Sequence, residues 1–143
     1  MTVQCILDAK GKGAAHIAPD ATIAQVLQSL ESQNVDALVV SCDGSSVDGI
    51  ISEHDVVLGL KKFGSDLLGK PVRDLMTAKV ITCTPGDRLE SIAAVMVSKH
   101  VRHLPVVTHN KLVGIVSIRD LLRLHLEAVQ SDADGMRRYI QEH

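Results

Sequence analysis

The chain has 143 residues, a formal net charge of −2 at pH 7 and 45% hydrophobic residues, which suits one compact domain or two small halves around a shared core. One Phe, one Tyr and no Trp argue against the aromatic stacking that holds single-stranded nucleic acid. The small charge, without a long basic run, indicates neither a nucleic-acid surface nor an anionic membrane surface.

The cysteines and the amino-terminal sequence indicate a cytoplasmic protein. Cys5, Cys42 and Cys83 are scattered and form no Cys-x-x-Cys pair, so we predict reduced structural thiols, not a zinc ribbon or a redox motif. The amino terminus lacks a signal-peptide core, and no stretch reaches the roughly 18 apolar residues of a membrane span. We therefore expect a soluble protein without a membrane partner.

The first unit of the chain starts with a lead-in segment, VQCILDAK (residues 3–10), and a short strand. A helix follows, whose apolar stripe at helical spacing consists of Ile23, Val26, Leu27 and Leu30. The runs ALVVS and VDGIIS predict two strands. A second helix, which ends near Phe63, completes the unit.

After a link at residues 64–71, the second unit has the same layout. The run VITCT predicts a short strand, and TPGDRLESIAAVMVSKH predicts a helix that Thr84 caps and in which Pro85 takes the first position. Its apolar stripe consists of Leu89, Ile92, Ala93, Met96 and Val97. The strands HLPVV and LVGIVS are joined by the tight turn HNK, and a final helix runs from about Ile118 to about Val129.

The two units are repeats of each other. VQCILDAK pairs with VRDLMTAK (residues 72–79), VDALVV (35–40) pairs with VRHLPV (101–106), and Gly49 pairs with Gly114. Matching segments in the same order indicate a duplicated unit of strand, helix, strand, strand and helix.

Each unit contains a joint of glycine, two apolar residues, serine, two further residues and aspartate, GIISEHD and GIVSIRD. A serine three residues before an aspartate, between a strand and a helix, is typical of a helix cap. The same geometry suits a ligand, because a carboxylate in the first turn accepts hydrogen bonds from ribose hydroxyls and the free N–H groups there favour a phosphate. Both interpretations stay open for Asp55 and Asp120.

This order of elements, with its two joints and its duplication, resembles the cystathionine-β-synthase (CBS) domain, and the chain resembles a stand-alone tandem pair, a Bateman module. The resemblance implies an α/β (α+β) fold of two β-α-β-β-α repeats related by pseudo-two-fold symmetry, each a small sheet packed against two helices. It divides the chain into repeat 1 with its lead-in (1–63), a linker (64–71), repeat 2 (72–130) and a tail (131–143). The tail, with Met136, Tyr139 and Ile140 at helical spacing, is either a short docked helix or frayed.

The resemblance also implies a function. Such pairs bind adenosine-containing ligands in the cleft between the repeats and act as sensors, not catalysts. We expect AMP, with ADP, ATP, NAD and S-adenosylmethionine as alternatives that the sequence does not separate.

The main ligand site is expected around the second joint. By resemblance, Asp120 holds the ribose and Ser117 contacts a phosphate, while the adenine lies against Ile81, Thr82, Cys83, Leu104 and Pro105. Arg102, His103 and Arg119 either offset the charge of the phosphate or are solvated surface residues.

A second, weaker site is expected at the matching positions of repeat 1, which are His16, Ile17, Ala37, Ser52, His54 and Asp55. Asp36 stands where repeat 2 has Arg102, and a negative charge beside a phosphate is unfavourable. We therefore expect unequal sites, the weaker one taking a nucleoside or nothing.

Metal binding and catalysis are not expected. His100, His103 and His109 have no acidic or cysteine partner at ligand spacing. No phosphate-binding glycine motif is present, and neither Cys42 nor Cys83 has a recurring histidine partner. The sequence predicts neither an enzyme nor a cofactor.

The final helix predicts an interface, because its apolar arc is wider than one core face requires. Its apolar residues fall on two sides, Leu121, Leu124 and Ala128 on one and Leu122, Leu126 and Val129 on the other. The helix is either buried between the repeats or shared with a second copy in a homodimer. The chain is then either an adenosine-ligand sensor that regulates an unknown protein partner or a structural interaction module with a vestigial site.

Overall fold

The computed structural model describes residues 1–11 and 13–142, with side chains up to residue 137. Its helices and strands, in chain order, are α1 (Val3–Lys10), β1 (His16–Ile17), α2 (Ile23–Gln33), β2 (Ala37–Val40), β3 (Gly49–Ser52), α3 (Glu53–Phe63), α4 (Leu89–Lys99), β4 (His103–Thr108), β5 (Lys111–Ser117) and α5 (Ile118–Glu142). Two 3₁₀ helices, Gly64–Gly69 and Val72–Asp74, lie between α3 and α4. The predicted mixed fold of two similar halves is confirmed.

The strands form two small sheets, one in each half. In the first, β1 lies parallel to β2, and β2 lies antiparallel to β3. In the second, β4 and β5 form an antiparallel hairpin, whose turn residues His109 and Asn110 have φ of 51° and 63°. Two successive positive φ angles match the twist of a tight hairpin, so the turn predicted from HNK is confirmed.

The strand predicted from VITCT is reduced to a single bridge. Cys83 lies parallel to Val106 there. The Cys83 N–H donates to the carbonyl oxygen of Pro105 at 3.0 Å, and the Val107 N–H donates to the carbonyl oxygen of Cys83 at 2.8 Å. These two bonds hold the segment before α4 against β4.

The start of α4 differs from the prediction. The helix begins at Leu89, and Arg88 occupies the N-cap position without a side-chain capping bond. Thr84 and Asp87 close a turn before it, in which the Thr84 N–H donates to the Asp87 carboxylate at 2.9 Å and the Asp87 N–H donates to the Thr84 carbonyl oxygen at 3.1 Å. Thr84 as cap and Pro85 as first helical residue were wrong, because Asp87 satisfies the Thr84 backbone in a turn of its own.

The two lead-in segments are exchanged between the halves. Val3 and Ile6 of α1 are buried in the core of the second half, whereas Leu67 and Val72 are buried in the core of the first. Their backbone bonds correspond, since the Val3 N–H donates to the carbonyl oxygen of Asp87 at 2.9 Å and the Val72 N–H donates to that of Ala21 at 2.8 Å. The exchange ties the repeats into one unit and carries α1 to the second joint.

The two halves also meet through their sheets. Ala37 and Val39 of β2 form a buried cluster with Ile115 of β5. Beside it, the Leu112 N–H donates to the carbonyl oxygen of Ser45 at 2.7 Å. This junction fixes side chains of different halves against each other.

Helix α5 is longer than predicted, because it continues through Glu142 without an end near Val129. Leu121 and Leu124 pack against the core of the second half. The other predicted side of the helix is not covered by the described residues, and Leu122, Leu126 and Val129 are 55%, 66% and 52% exposed. Burial of the whole helix between the repeats was therefore wrong, and the side chains of Tyr139 and Ile140 lie outside the described residues.

Candidate functional site

Both Ser-x-x-Asp joints are helix-capping boxes. The Asp55 N–H donates to Ser52 Oγ at 3.4 Å, and the Ser52 N–H donates to Asp55 Oδ2 at 2.9 Å. At the second joint the Asp120 N–H donates to Ser117 Oγ at 3.1 Å, and the Ser117 N–H donates to Asp120 Oδ2 at 2.9 Å. The capping interpretation is thus confirmed at both joints, and it commits one oxygen of each carboxylate to the backbone.

The Asp120 carboxylate is buried and paired with a lysine from the other end of the chain. Asp120 is only 8% exposed. Lys10, the last residue of α1, donates from Nζ to Asp120 Oδ2 at 3.0 Å and to the carbonyl oxygen of Ile115 at 3.1 Å. Oδ1 accepts no hydrogen bond from the described residues, so one face of the carboxylate is left for another donor.

The Asp55 carboxylate is paired with no such cation among the described residues. It is half-buried, and besides the Ser52 N–H it accepts only the Ser52 hydroxyl, at 3.1 Å, from the residues that the structure describes. Lys79, which matches Lys10 in the repeat, is exposed and makes no ion pair with Asp55. The two joints therefore share their backbone geometry and differ in charge.

A glycine in each joint allows the exchanged lead-in segment to approach. A Cβ on Gly114 would clash with Leu7 Cδ2, and a Cβ on Gly49 would lie 2.7 Å from Met76 Sδ and 2.9 Å from the carbonyl oxygen of Thr77. Leu7 and Met76 occupy matching positions in the two lead-in segments. This close packing brings α1, and with it Lys10, to the second joint.

A polar bridge joins the two repeats next to the joints. Asp36 Oδ1 lies 2.9 Å from His103 Nε2, and Asp36 Oδ2 lies 4.0 Å from Arg119 Nη2. Partial burial acts to raise the pKa of Asp36, but the hydrogen bond and charge of His103, with Arg119 adding to them, hold it below its usual value. Two side chains expected to face a phosphate thus face a carboxylate of repeat 1.

Backbone bonds place Asp36 and Arg102 at equivalent points. The Asp36 carbonyl oxygen accepts from the Glu53 N–H at 3.0 Å, and the Arg102 carbonyl oxygen accepts from the Ile118 N–H at 2.8 Å. Each residue therefore stands beside the amino terminus of the helix that follows its hairpin. The Arg102 side chain is exposed and makes no ion pair in the described part of the chain, so its charge is available there.

The remaining residues predicted for the Asp120 site are linked to it through β4. Leu104 and Pro105 are buried, and His103 is paired with Ser117 across the hairpin. Ile81 and Thr82 are exposed and precede Cys83, whose N–H donates to the carbonyl oxygen of Pro105. Burial raises the pKa of the Cys83 thiol to about 12, which keeps it protonated and fits the structural role predicted for it.

The residues predicted for the weaker site are less closely grouped. Ala37 is buried and paired with Ser52 in the first sheet. Ile17 is half-buried on β1, while His16 is exposed, with Nδ1 3.1 Å from the carbonyl oxygen of Ala14. His54 is also exposed and makes no hydrogen bond to the described residues. The two histidines are therefore not held towards Asp55.

Two cavities border α5. A small one, about 50 Å³, touches Asp120 and Lys10 and continues along Ile6 and Leu124. A larger apolar groove, about 460 Å³, runs between α4 and α5, and its lining includes Met1, Leu89, Met96, Val97, Leu121 and Leu122. The first borders the carboxylate of the joint, and the second borders the exposed face of α5.

Sequence reasoning missed Lys10, and it read Asp36 only as a charge that repels phosphate. The pairing of VQCILDAK with VRDLMTAK aligns Lys10 with Lys79, but it does not show that the segments are exchanged. The substitution at Asp36 was visible, whereas its partner, His103, lies in the other repeat.

Comparison with known proteins identifies this duplicated unit. Residues 12–62 and 72–127 match the family model of the CBS domain. The chain belongs to the CBS domain family. It is also 30% identical, over 148 aligned residues, to CBSX3, a mitochondrial CBS domain-containing protein of Arabidopsis thaliana. That alignment covers 98% of this chain and 72% of the relative.

Solved CBS structures share the fold of this pair. The CBS domain pair of protein MJ0100, in complex with 5′-methylthioadenosine and S-adenosyl-L-methionine, has a TM-score of 0.80 and 24% identity, covering 90% of this chain and 98% of that chain. The CBS domain protein PAE2072 of Pyrobaculum aerophilum, complexed with AMP, has a TM-score of 0.73 and 24% identity, covering 84% and 89%. At this level of identity the likeness concerns the fold.

Two further properties concern metals and membranes. Among the described side chains, which end at residue 137, no three of His, Cys, Asp or Glu are grouped as metal ligands would be. None of the described helices has both the length and the apolar character needed to cross a membrane.

Proposed function

We propose that this CBS pair is a regulatory module that binds an adenosine-containing ligand between its repeats, with Asp120 as the acceptor for the ribose hydroxyls. The observation that carries the proposal is the buried carboxylate at the amino terminus of α5, whose Oδ1 accepts no hydrogen bond from the described residues and whose Oδ2 is fixed by the Ser117 N–H. A carboxylate held in this way is oriented before a ligand arrives, which lowers the entropy cost of binding.

The groups around α5 suit the other parts of such a ligand. The free N–H groups at a helix amino terminus and the exposed Arg102 side chain favour a phosphate. The exposed residues Ile81 and Thr82, with the buried strand at Leu104 and Pro105, offer an apolar wall and backbone groups for adenine. These residues form the proposed main site.

We take AMP as the preferred ligand and the first repeat as the weaker site. Arg102 and Arg119 provide positive charge that complements a phosphate, whereas the sulfonium of S-adenosylmethionine would add a third cation. At the first joint, Asp36 supplies negative charge instead. Solved relatives in complex with AMP and with S-adenosylmethionine show that both ligand types occur among CBS proteins.

A ligand at Asp120 has to share the carboxylate with Lys10 or displace it. Lys10 Nζ holds Oδ2 at 3.0 Å, so the ribose meets a carboxylate that is already half satisfied. This same observation favours a second candidate function, an interaction module whose ligand site is vestigial because its own side chains satisfy it.

Titration calorimetry of the full chain with AMP tests the proposal, with cytidine monophosphate as a control that keeps the ribose and phosphate but not the adenine. Saturable AMP binding below millimolar concentration, much tighter than for the control, supports the sensor. If AMP, ADP, ATP, NAD and S-adenosylmethionine all fail to bind below that concentration, the vestigial-site function replaces it.

We further propose that the module is a homodimer joined through helical faces of its repeats. Val57, Leu58 and Leu60 of α3 are 61%, 51% and 49% exposed, and Val97 of α4 is 72% exposed. Apolar surface on this scale usually marks an interface, and a closed two-fold contact covers it without open-ended assembly.

Light scattering after size-exclusion chromatography in about 1 M salt tests the dimer, because apolar contacts persist where salt screens charges. A mass of about twice 15.4 kDa supports it. A mass near 15.4 kDa at micromolar concentration contradicts it.

A further inference from the structure

Helix α5 extends beyond the body of the protein. It spans 25 residues, or about 37 Å at 1.5 Å per residue. Its buried and half-buried contacts with the second core end at Leu124, and nearly every side chain from His125 to Arg137 is exposed. The second half of the helix therefore projects without a covering partner among the residues that the structure describes.

Apart from Ile118 and Ala128, which line the groove between α4 and α5, the exposed apolar residues described for this helix follow a heptad pattern. They are Leu122, Leu126, Val129, Ala133 and Met136, which we call the seam. Its large members are 55%, 66%, 52% and 68% exposed, in the order Leu122, Leu126, Val129 and Met136. Alternate steps of four and three residues keep these side chains on one line of the helix, as the a and d positions of a coiled coil require.

The seam gives the projecting helix a reason to persist. Most helical stability in proteins comes from packing of an amphipathic face and not from helix propensity, and Gly135 within this segment costs about 1 kcal/mol relative to alanine. Burial of the seam against a second helix offsets this cost. The pattern therefore predicts a helical partner for α5.

Charges beside the seam identify that partner as a second copy of α5 running in the same direction. With Leu126 and Ala133 as a positions, Asp132 falls at g and Arg137 at e. In a parallel pair, a g residue faces the e residue five positions later on the other helix, so Asp132 meets Arg137 twice. An antiparallel pair would bring e positions together and set Arg123 against Arg137.

We infer that two copies of the chain join their α5 helices in a parallel, in-register coiled coil along the seam. The inference rests on the proposed homodimer, because fewer than three heptads are too short to associate alone and need the domains to hold the helices at high local concentration. Leu122 belongs both to the seam and to the groove between α4 and α5, so the coiled coil continues the apolar face of the domain. The coiled coil also specifies that the two α5 helices run in the same direction in the dimer.

Disulfide trapping tests the orientation in the full chain. The exposed thiols Cys5 and Cys42 are first changed to serine, and Met136→Cys, near the end of the seam, is then compared with Ser131→Cys, which lies on the outer side of the helix. Parallel helices bring the two Met136 positions together, whereas antiparallel helices place them at opposite ends of the contact. Oxidation should therefore convert most of the Met136→Cys protein into a covalent dimer and little of the Ser131→Cys protein. Equal cross-linking of the two variants, or none in either, overturns the coiled coil.

A charge substitution separates this inference from the homodimer. Met136→Asp should shift the midpoint of dissociation at least tenfold to higher protein concentration, while Ser131→Asp leaves it unchanged. A wild-type dimer whose midpoint neither variant shifts would retain the domain interface and overturn the coiled coil. A wild-type monomer would overturn both.

Discussion

The Ser52–Asp55 and Ser117–Asp120 joints have the same backbone and different surroundings. Each serine and aspartate form a reciprocal cap. At the second joint, α1 extends to Lys10, which neutralises Asp120. At the first, the matching segment forms only a short 3₁₀ turn and then pairs with β3 at Thr77.

The two joints share their capping hydrogen bonds but differ in their charged neighbours. Local hydrogen bonds within a few residues maintain the cap in both repeats. The cation beside each aspartate depends on a segment that arrives from the other half, and the two segments differ: Lys10 pairs with Asp120, whereas Lys79 makes no ion pair with Asp55 among the described residues. A site in a duplicated fold thus takes its electrostatics from long-range packing even when its backbone is identical.

Replacing each joint glycine with alanine should destabilise the protein to a different extent, because the lead-in segment packed against it can adjust more easily at one joint than at the other. At Gly49 a new Cβ meets the Thr77 backbone as well as Met76, while at Gly114 it meets only the Leu7 side chain. We expect Gly49→Ala to lower the free energy of unfolding by about 3 kcal/mol and Gly114→Ala by about 1 kcal/mol, within the range for overpacked cores. Urea unfolding measures both, and a larger loss for Gly114→Ala would contradict the close fit at Thr77.

Replacing each joint aspartate with alanine should show how much the Lys10–Asp120 pair contributes to the free energy of unfolding. Both substitutions lose a capping bond, but only Asp120→Ala also loses the ion pair with Lys10. We expect Asp120→Ala to cost about 2 kcal/mol of unfolding free energy and Asp55→Ala about 1 kcal/mol. The same unfolding assay applies, and equal losses would mean that the Lys10 pair contributes nothing to stability.

The bridge between the repeats should give stability that depends on pH. The pKa of Asp36 lies below its usual value in the folded protein, so its contribution is present above the unfolded pKa of about 4 and is lost as the pH falls through the lower folded pKa. Because the pair is partly exposed, Asp36→Asn should cost only about 1 kcal/mol at pH 7.

Measuring the free energy of unfolding at pH 7 and at pH 2.5 tests whether the stabilisation by Asp36 decreases on acidification. The gap between wild type and Asp36→Asn should narrow at the lower pH, while Asp20→Asn, at an exposed carboxylate without an ion pair among the described residues, should differ little from wild type at either. A gap that widens on acidification would contradict the assignment.

Lys10 should compete with the ligand. Lys10→Ala removes the donor on Asp120 Oδ2, so we expect AMP to bind about threefold more tightly, or about 0.6 kcal/mol. Lys79→Ala is the matched control in the other lead-in segment and should change nothing. Calorimetry gives both constants, and weaker binding by Lys10→Ala would make Lys10 a ligand residue.

The parts of the fold that depend on local sequence were predictable. The β4–β5 hairpin follows from alternating apolar residues around His109 and Asn110, and both caps follow from the Ser-x-x-Asp spacing. The start of α4 was not, since Thr84 and Asp87 satisfy a turn as well as a helix cap. The length of α5 was also missed, because its apolar spacing continues past a polar stretch.

Only the local part of the candidate site was predictable from the sequence. Ser117 and Asp120 lie in one short motif. Lys10 and Ile115 are separated by most of the chain, and Asp36 meets His103 across the two repeats. These contacts depend on how the lead-in segments and the sheets pack against each other. The spacing of residues within one repeat gives no information about that packing.

Titration with AMP of paired asparagine variants tests the central claim most directly. Asparagine keeps an oxygen for the cap and removes the charge that would hold a ribose, so both variants should stay folded. Asp120→Asn should weaken AMP binding about tenfold or more, as expected for loss of hydrogen bonds to a charged group, and Asp55→Asn should weaken it much less. Equal losses, or a larger loss for Asp55→Asn, would contradict the assignment of the ligand to the second joint.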